Sequence, residues 1–186
     1  MSNRNGESRA EREMNKVMKL VLTGLMTALV TVATMALPIP IPGTTGYINL
    51  GDGIIFLSVF VLGWRYAAFA GGVGAGLADV LLGAAVWSPW TLVIKAGMAV
   101  IAGLLFSRRP HHISARVWSV LSMVPAVLWM VAGYYAAEGV IYGNWAAPIV
   151  GLPWNLIQGA VGICLAAALG AALEKTSARK YFANKI

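Results

Sequence analysis

Between Tyr47 and Gly103 the chain sets three apolar runs close together and places two charges, Asp79 and Lys95, inside them. A charge within a hydrocarbon-length helix is costly and by default marks a functional site. Such a stretch is compatible only with a fold that turns both side chains inward against other helices. Composition agrees: 59% of the residues are hydrophobic and 11% charged, with a mean hydropathy of +0.73. That leaves too little polar surface to coat a water-soluble body of this length. The expected fold class is an all-α integral membrane protein.

Six apolar runs can be followed along the chain. Residues 1–16 are polar and of mixed charge, which predicts a cytoplasmic tail with no core of its own. The first run, Val17 to Leu37, has 21 residues, close to the roughly 20 that cross a bilayer. It ends in Pro38-Ile39-Pro40-Ile41-Pro42 and not in a small-residue cleavage site, so it reads as a retained helix. The prolines and Gly43-Thr44-Thr45-Gly46 predict a mobile loop. The second run, Leu50 to Leu62, is short at 13 residues. In the third, Ala67 to Leu82, Ala68, Gly72 and Gly76 recur every fourth residue, with Ala70, Gly74 and Ala78 offset by two, a small-residue ridge that lets helix backbones approach closely in lipid. The fourth opens at Pro89-Trp90 and ends near Phe106, the fifth runs from Ile113 to Ala137 with a kink expected at Pro125, and the sixth from Trp154 to Leu173. Residues 17–173 thus form one six-helix membrane domain, followed by a basic tail at 174–186.

Charge sets the expected orientation. With six spans and both termini cytoplasmic, 13 of the 14 basic residues fall on the cytoplasmic side. Lys95 is the exception, and the three outer loops hold no Lys or Arg. The formal charge of +7 is therefore a topology signal and not a nucleic-acid patch.

The polar residues that do not mark topology gather in the outer half of the bundle. They are Asp52, Asp79, Lys95, Asn155 and Gln158, with Glu138 and Asn144 in the last outer loop, and Asn49, Tyr47, Trp87 and Trp90 stand nearby. An aromatic pocket with a few polar groups suits a small planar heterocycle, through stacking and directed hydrogen bonds. Plainer roles stay open at this point. Asp79 and Lys95 can form a structural ion pair, Asn155 and Gln158 can bond between helices, and Trp and Tyr populate membrane interfaces without any ligand.

Enzyme signals are absent. Gly71-Gly72-Val73-Gly74-Ala75-Gly76 departs from the dinucleotide-binding spacing and lies in an apolar run, and GAALEKT at 170–176 lacks the glycine before its lysine. No catalytic or metal-binding constellation occurs, Cys164 stands alone, and no cofactor is expected.

Four segments carry a resemblance: LTGLMTALVTVATMALPIPIP, GYINLGDGIIFLSVFVLG, FAGGVGAGLADVLLG and SPWTLVIKAGMAVIAGLL. Their order resembles the substrate-binding S component of an energy-coupling factor (ECF) vitamin transporter, the riboflavin-type and related S components. The resemblance is strong over residues 17–106 and rests on length and topology alone beyond them. It implies a prokaryotic cell-membrane protein that captures a vitamin or precursor from outside and works with a transmembrane scaffold protein and two ATPase subunits. It also implies that the i, i+4 alanine motif contacting the scaffold falls on Gly24 and Ala28, with glycine in the first place. The loop from Pro38 to Asn49 is similar to the family's gate over the substrate. An autonomous small-solute carrier or channel is the alternative.

Overall fold

The computed structural model describes residues 9–176; the segments before and after lie outside the described residues. Six α-helices account for most of it: α1 (Arg9–Ala36), α2 (Gly51–Leu62), α3 (Trp64–Leu81), α4 (Ser88–Ser107), α5 (Ala115–Tyr142) and α6 (Gly151–Glu174). A hairpin of two short antiparallel strands, β1 (Ile39–Pro40) and β2 (Tyr47–Ile48), joins α1 to α2. One 3₁₀ turn, Ala147–Val150, precedes α6. Helix α1 starts at Arg9, ahead of the apolar run, so part of the expected tail is helical. Pro125 lies inside α5, which stays helical through it.

Helices α1, α4, α5 and α6 contain stretches long and apolar enough to cross a bilayer. Helix α2, at 12 residues, is too short for that on its own. It is apolar all round, as a helix enclosed by others must be, and nearly all of it is buried, from Gly51 through Leu62. It packs against α1, α3, α4 and α6. Gly63 ends it with φ 81°, a backbone state that favours glycine, and α3 begins at the next residue.

The small-residue ridge does what its spacing predicts. A Cβ on Gly74 would stand 2.7 Å from the Thr27 carbonyl oxygen of α1, and one on Gly72 would stand 2.8 Å from the Leu92 carbonyl oxygen of α4. Helix α3 is therefore clamped between two backbones. Across the bundle, a Cβ on Gly162 of α6 would lie 2.8 Å from the Cβ of Asp52, so only glycine lets α6 close on the start of α2. The main apolar core lies between α2, α4, α5 and α6, around Phe56, Met98, Met123 and Met130.

The proline-glycine loop is folded rather than open. Ile39 pairs with Ile48 and Pro40 with Tyr47, and the Ile41 N–H donates to the Gly46 carbonyl at 3.0 Å. Pro40 has no N–H to offer, which an edge strand tolerates. Gly43, with φ 78°, makes the reversal. The tip is tethered to the end of α5, where the Tyr142 hydroxyl accepts from the Thr45 N–H at 2.9 Å.

Candidate functional site

Residues of α1, α3, α4, α5 and α6 and of the hairpin line a narrow cavity of about 30 Å³ at the end of the bundle where the hairpin lies. At about 10–15 Å³ for each water molecule, that is room for about two. Helix periodicity explains who reaches it. Trp87, Thr91 and Lys95 stand four residues apart along α4, Tyr134 and Glu138 four apart on α5, and Ala75 and Asp79 four apart on α3. Thr34 of α1 and Asn155 of α6 complete the walls, and Ile41, Gly46, Tyr47 and Asn49 bring the hairpin over them.

The base of the cavity is a closed polar network. The Lys95 ammonium donates to Asp52 Oδ1 and to the Met130 sulfur at 3.1 Å. Gln158 Nε2 donates to Asp52 Oδ2 at 2.7 Å, and Gln158 Oε1 accepts from the Asn49 N–H at 2.9 Å. Lys95 also lies 5.3 Å from the centre of the Tyr134 ring. Asp52 and Lys95 are almost wholly buried, at 0% and 1% exposure.

This corrects an expectation: the ion-pair partner of Lys95 is Asp52 and not Asp79. Neighbouring antiparallel helices bring Asp79 and Lys95 to similar depth, but rotation about each axis decides which groups meet. The enclosed helix α2 presents Asp52 on its first turn, where the helix dipole also favours an anion. Asp79 instead takes the Tyr47 hydroxyl, which donates to its Oδ1 at 2.5 Å. Burial above all, then that hydrogen bond and the carboxylate's charge, push the Tyr47 hydroxyl well above its usual range, so it stays a donor.

The upper part is not closed. Thr34 Oγ1, Asp79 Oδ2, Trp87 Nε1 and Glu138 Oε2 are the buried side-chain polar atoms without a partner among the described residues. All four residues line this one cavity. Buried polar groups are paired in the large majority of cases, so the concentration of exceptions in one place marks it. The Trp87 ring sits 6.5 Å from that of Tyr134 and 6.3 Å from that of Tyr142, which fixes an aromatic wall.

Of the residues expected at the site, Tyr47, Asn49, Asp79, Trp87, Lys95 and Asn155 line the cavity, Asp52 pairs with Lys95, and Gln158 holds Asp52. Trp90 and Asn144 are not brought in. Trp90 is 37% exposed on the outer face of α4, three residues and so nearly a full turn from Trp87, yet past the helix start that turns Trp87 inward. Asn144 is exposed and accepts from the Ala146 N–H at 2.8 Å, closing the turn after α5. Thr34 and Thr91 are residues not singled out beforehand, and Glu138, expected among the outer polar groups, joins the site from a helix. The four-residue step from Trp87 to Lys95 pointed at Thr91. Glu138 was placed in a loop because the apolar run ends at Ala137, whereas α5 continues to Tyr142.

Gly24 and Ala28 lie elsewhere, on an exposed face of α1. A Cβ on Gly24 would meet nothing within 4 Å.

Known proteins agree with this architecture. The family described as "ECF-type riboflavin transporter, S component" matches residues 14–175. A protein of Pyrococcus woesei, known as an uncharacterized protein in the gap 3′ region, is 38% identical over 146 residues, 78% of this chain and 95% of that relative. The thiamine precursor transporter HmpT of Lactococcus lactis subsp. cremoris (strain MG1363) is 35% identical over 161 residues, 86% of this chain and 90% of its own. The family match reaches into all six helices, and the chain belongs to the ECF-type riboflavin transporter S component family, multi-pass membrane proteins of vitamin transport and not an enzyme class.

Proposed function

We propose that this chain is the substrate-capturing subunit of an ECF-type uptake transporter and that it holds a small planar vitamin or precursor in the cavity beneath the hairpin. The observation that carries this is the set of four buried, unpartnered polar atoms around one cavity, on Thr34, Asp79, Trp87 and Glu138. A ligand that hydrogen-bonds them removes a desolvation cost that the empty protein bears. Trp87, Tyr134 and Tyr47 give a planar ring faces to pack on.

The chain crosses the membrane six times in this proposal, the short α2 doing so together with the hairpin segment before it, with both termini inside. The α1 start, the α2–α3 turn, the α4–α5 link and the α6 end carry the basic residues, and the segments at the cavity end, 37–50, 82–87 and 143–154, carry no Lys or Arg. By the positive-inside rule the cavity then faces out. The hairpin acts as its lid. With no ATP-binding or catalytic motif of its own, the chain takes its energy from partner ATPases reached through a scaffold protein, which docks on the α1 face of Gly24 and Ala28. The family name points to a flavin and the HmpT name to a thiamine precursor; both are planar nitrogen heterocycles.

Mass spectrometry of small molecules released from the detergent-purified chain tests capture directly, with quenching of its tryptophan fluorescence on adding candidates back. One retained vitamin-like compound is the expected result. An empty protein that ignores a vitamin panel, or sustained solute flux through liposomes holding this chain alone, overturns it in favour of an autonomous carrier or channel. For the docking face, Gly24→Leu with Ala28→Leu is expected to abolish copurification with the scaffold and ATPases while leaving ligand affinity unchanged. Normal copurification sinks that face.

A further inference from the structure

Helices α5 and α6 meet closely at one level and stand apart at another. Toward the hairpin end a Cβ on Gly159 of α6 would run into the Val127 side chain of α5, so the two helices touch there. Toward the other end, beyond Pro125, they leave a slot of about 150 Å³, against about 30 Å³ for the cavity beneath the hairpin. Val120 of α5 and Ala166, Ala167, Gly170 and Ala171 of α6 line it, with Phe60 of α2. Ala167 and Ala171 are exposed, so the slot opens on the outer surface of the bundle. None of its lining residues belongs to α1, which carries the face of Gly24 and Ala28.

The slot has room for about ten waters at about 10–15 Å³ each, but a cavity without polar partners stays dry. The Ser119 hydroxyl beside it already donates to the Arg116 carbonyl at 2.7 Å. An unfilled apolar void leaves its walls without contacts on one side, and in a bilayer the apolar filler at hand is a hydrocarbon chain. Charge at the mouth is of one sign. Arg116 Nη2 donates to Glu174 Oε2 at 3.1 Å across it, and with its side chain 80% exposed the guanidinium keeps its other N–H groups toward the surroundings. Lys175 follows Glu174, and the end of α4 is bound to the same corner. The Phe106 ring lies 5.1 Å from that of Phe60, the Trp118 indole donates to the Leu105 carbonyl at 2.9 Å, and Arg108 and Arg109 come next in the chain. Residues 105–120 include three arginines and no acid, and Glu174 is the one acid between 139 and 176. Basic pockets between membrane helices on the cytoplasmic side suit anionic headgroups. Here an apolar slot and a surplus of cations are contiguous, as the tail and phosphate of one lipid molecule are.

We propose that the slot between α5 and α6 takes one acyl chain of an anionic phospholipid from the cytoplasmic leaflet, with the phosphate held at its mouth by Arg116. The leaflet follows from the orientation proposed above. Occupation of the slot is independent of what the cavity beneath the hairpin captures.

The test uses the full chain in detergent, stripped of its lipid, titrated with dioleoyl phosphatidylglycerol or dioleoyl phosphatidylcholine and read by native mass spectrometry. One phosphatidylglycerol per chain is expected to stay bound, about tenfold tighter than phosphatidylcholine. Arg116→Gln is expected to reduce that ratio to about twofold or less, and Ala167→Leu with Ala171→Leu to abolish retention of both lipids by filling the slot. Glycerol phosphate at the lipid's concentration is expected not to compete. Equal retention of both lipids in variable number is an annular coat and overturns the site, as does a filled variant that retains phosphatidylglycerol like the wild type. An Arg116→Gln protein with the wild-type ratio overturns the headgroup contact. Competition by glycerol phosphate overturns the lipid in favour of a plain anion, and a lipid-free dimer overturns it in favour of a second copy of the chain. Should the double-leucine variant not give a monodisperse protein, the wild-type lipid ratio and its response to Arg116→Gln decide.

Discussion

The two layers of the cavity are built from the same residue types and have opposite states. In the lower one, Asp52, Lys95 and Gln158 satisfy one another, and both Asp52 oxygens are occupied. In the upper one, Asp79, Glu138, Thr34 and Trp87 each keep an atom unpaired. A satisfied buried network gives rigidity and a single arrangement, whereas unpaired groups raise the energy of the empty protein and reserve it for a ligand. Burial of polar residues therefore has two meanings here, separated by about one turn of helix α4, from Thr91 to Lys95.

Substitutions can break or sharpen that division. The largest effect belongs to the lower layer: Asp52→Ala leaves the Lys95 ammonium buried without its counter-charge and is expected to cost about 3–5 kcal/mol. A thermal midpoint in detergent reads this loss, and Asp52→Leu combined with Lys95→Met should recover most of it. A double variant as unstable as the single one would mean that the pair is more than a neutralised unit. The upper layer should respond with the opposite sign. Thr34→Val keeps the shape, deletes an unsatisfied hydroxyl and is expected to stabilise the empty protein by about 1 kcal/mol while weakening ligand binding. Destabilisation of the empty protein would place Thr34 in the satisfied set. The smallest change concerns the lid. Tyr142→Phe removes the hydroxyl that holds Thr45 and should cost below about 1 kcal/mol globally. Amide exchange at Thr45 should nevertheless rise, and ligand should leave faster; exchange unchanged from wild type would show that the tether does not hold the lid.

Much of this was legible in the chain because apolar length and small-residue spacing report local physics. The bounds of α2 and α4, the close approach of α3 through Gly72 and Gly74, and the inward place of Lys95 all follow from patterns within one segment. What remained hidden depends on how segments rotate and extend against each other. The Asp52–Lys95 pairing needed the depth of α2 among its neighbours. Glu138 needed the helix to run past the apolar stretch to Gly143, whose φ of 62° is the actual stop. Trp87 and Trp90 look alike in the sequence, and only the turn at the start of α4 separates a cavity wall from an outward-facing ring. The folding of the proline-rich loop into a hairpin was likewise a matter of partners, since its tip is held by Tyr142, 97 residues on from Thr45.

The contact of Gly162 with Asp52 has a bearing on how such a protein can be altered. Because α6 touches the base of the site through a residue with no side chain, nothing larger can enter there without dislodging Asp52, Lys95 and Gln158 together. Above that floor Thr34 is held in the same way, since a Cβ on Gly51 would stand 2.2 Å from its Oγ1, whereas the nearest such approach to Glu138 is 3.2 Å, from Gly151. An engineer seeking a receptor for a different compound would leave both glycines and the residues packed on them untouched, and rewrite Trp87 and Glu138 over an unchanged foundation.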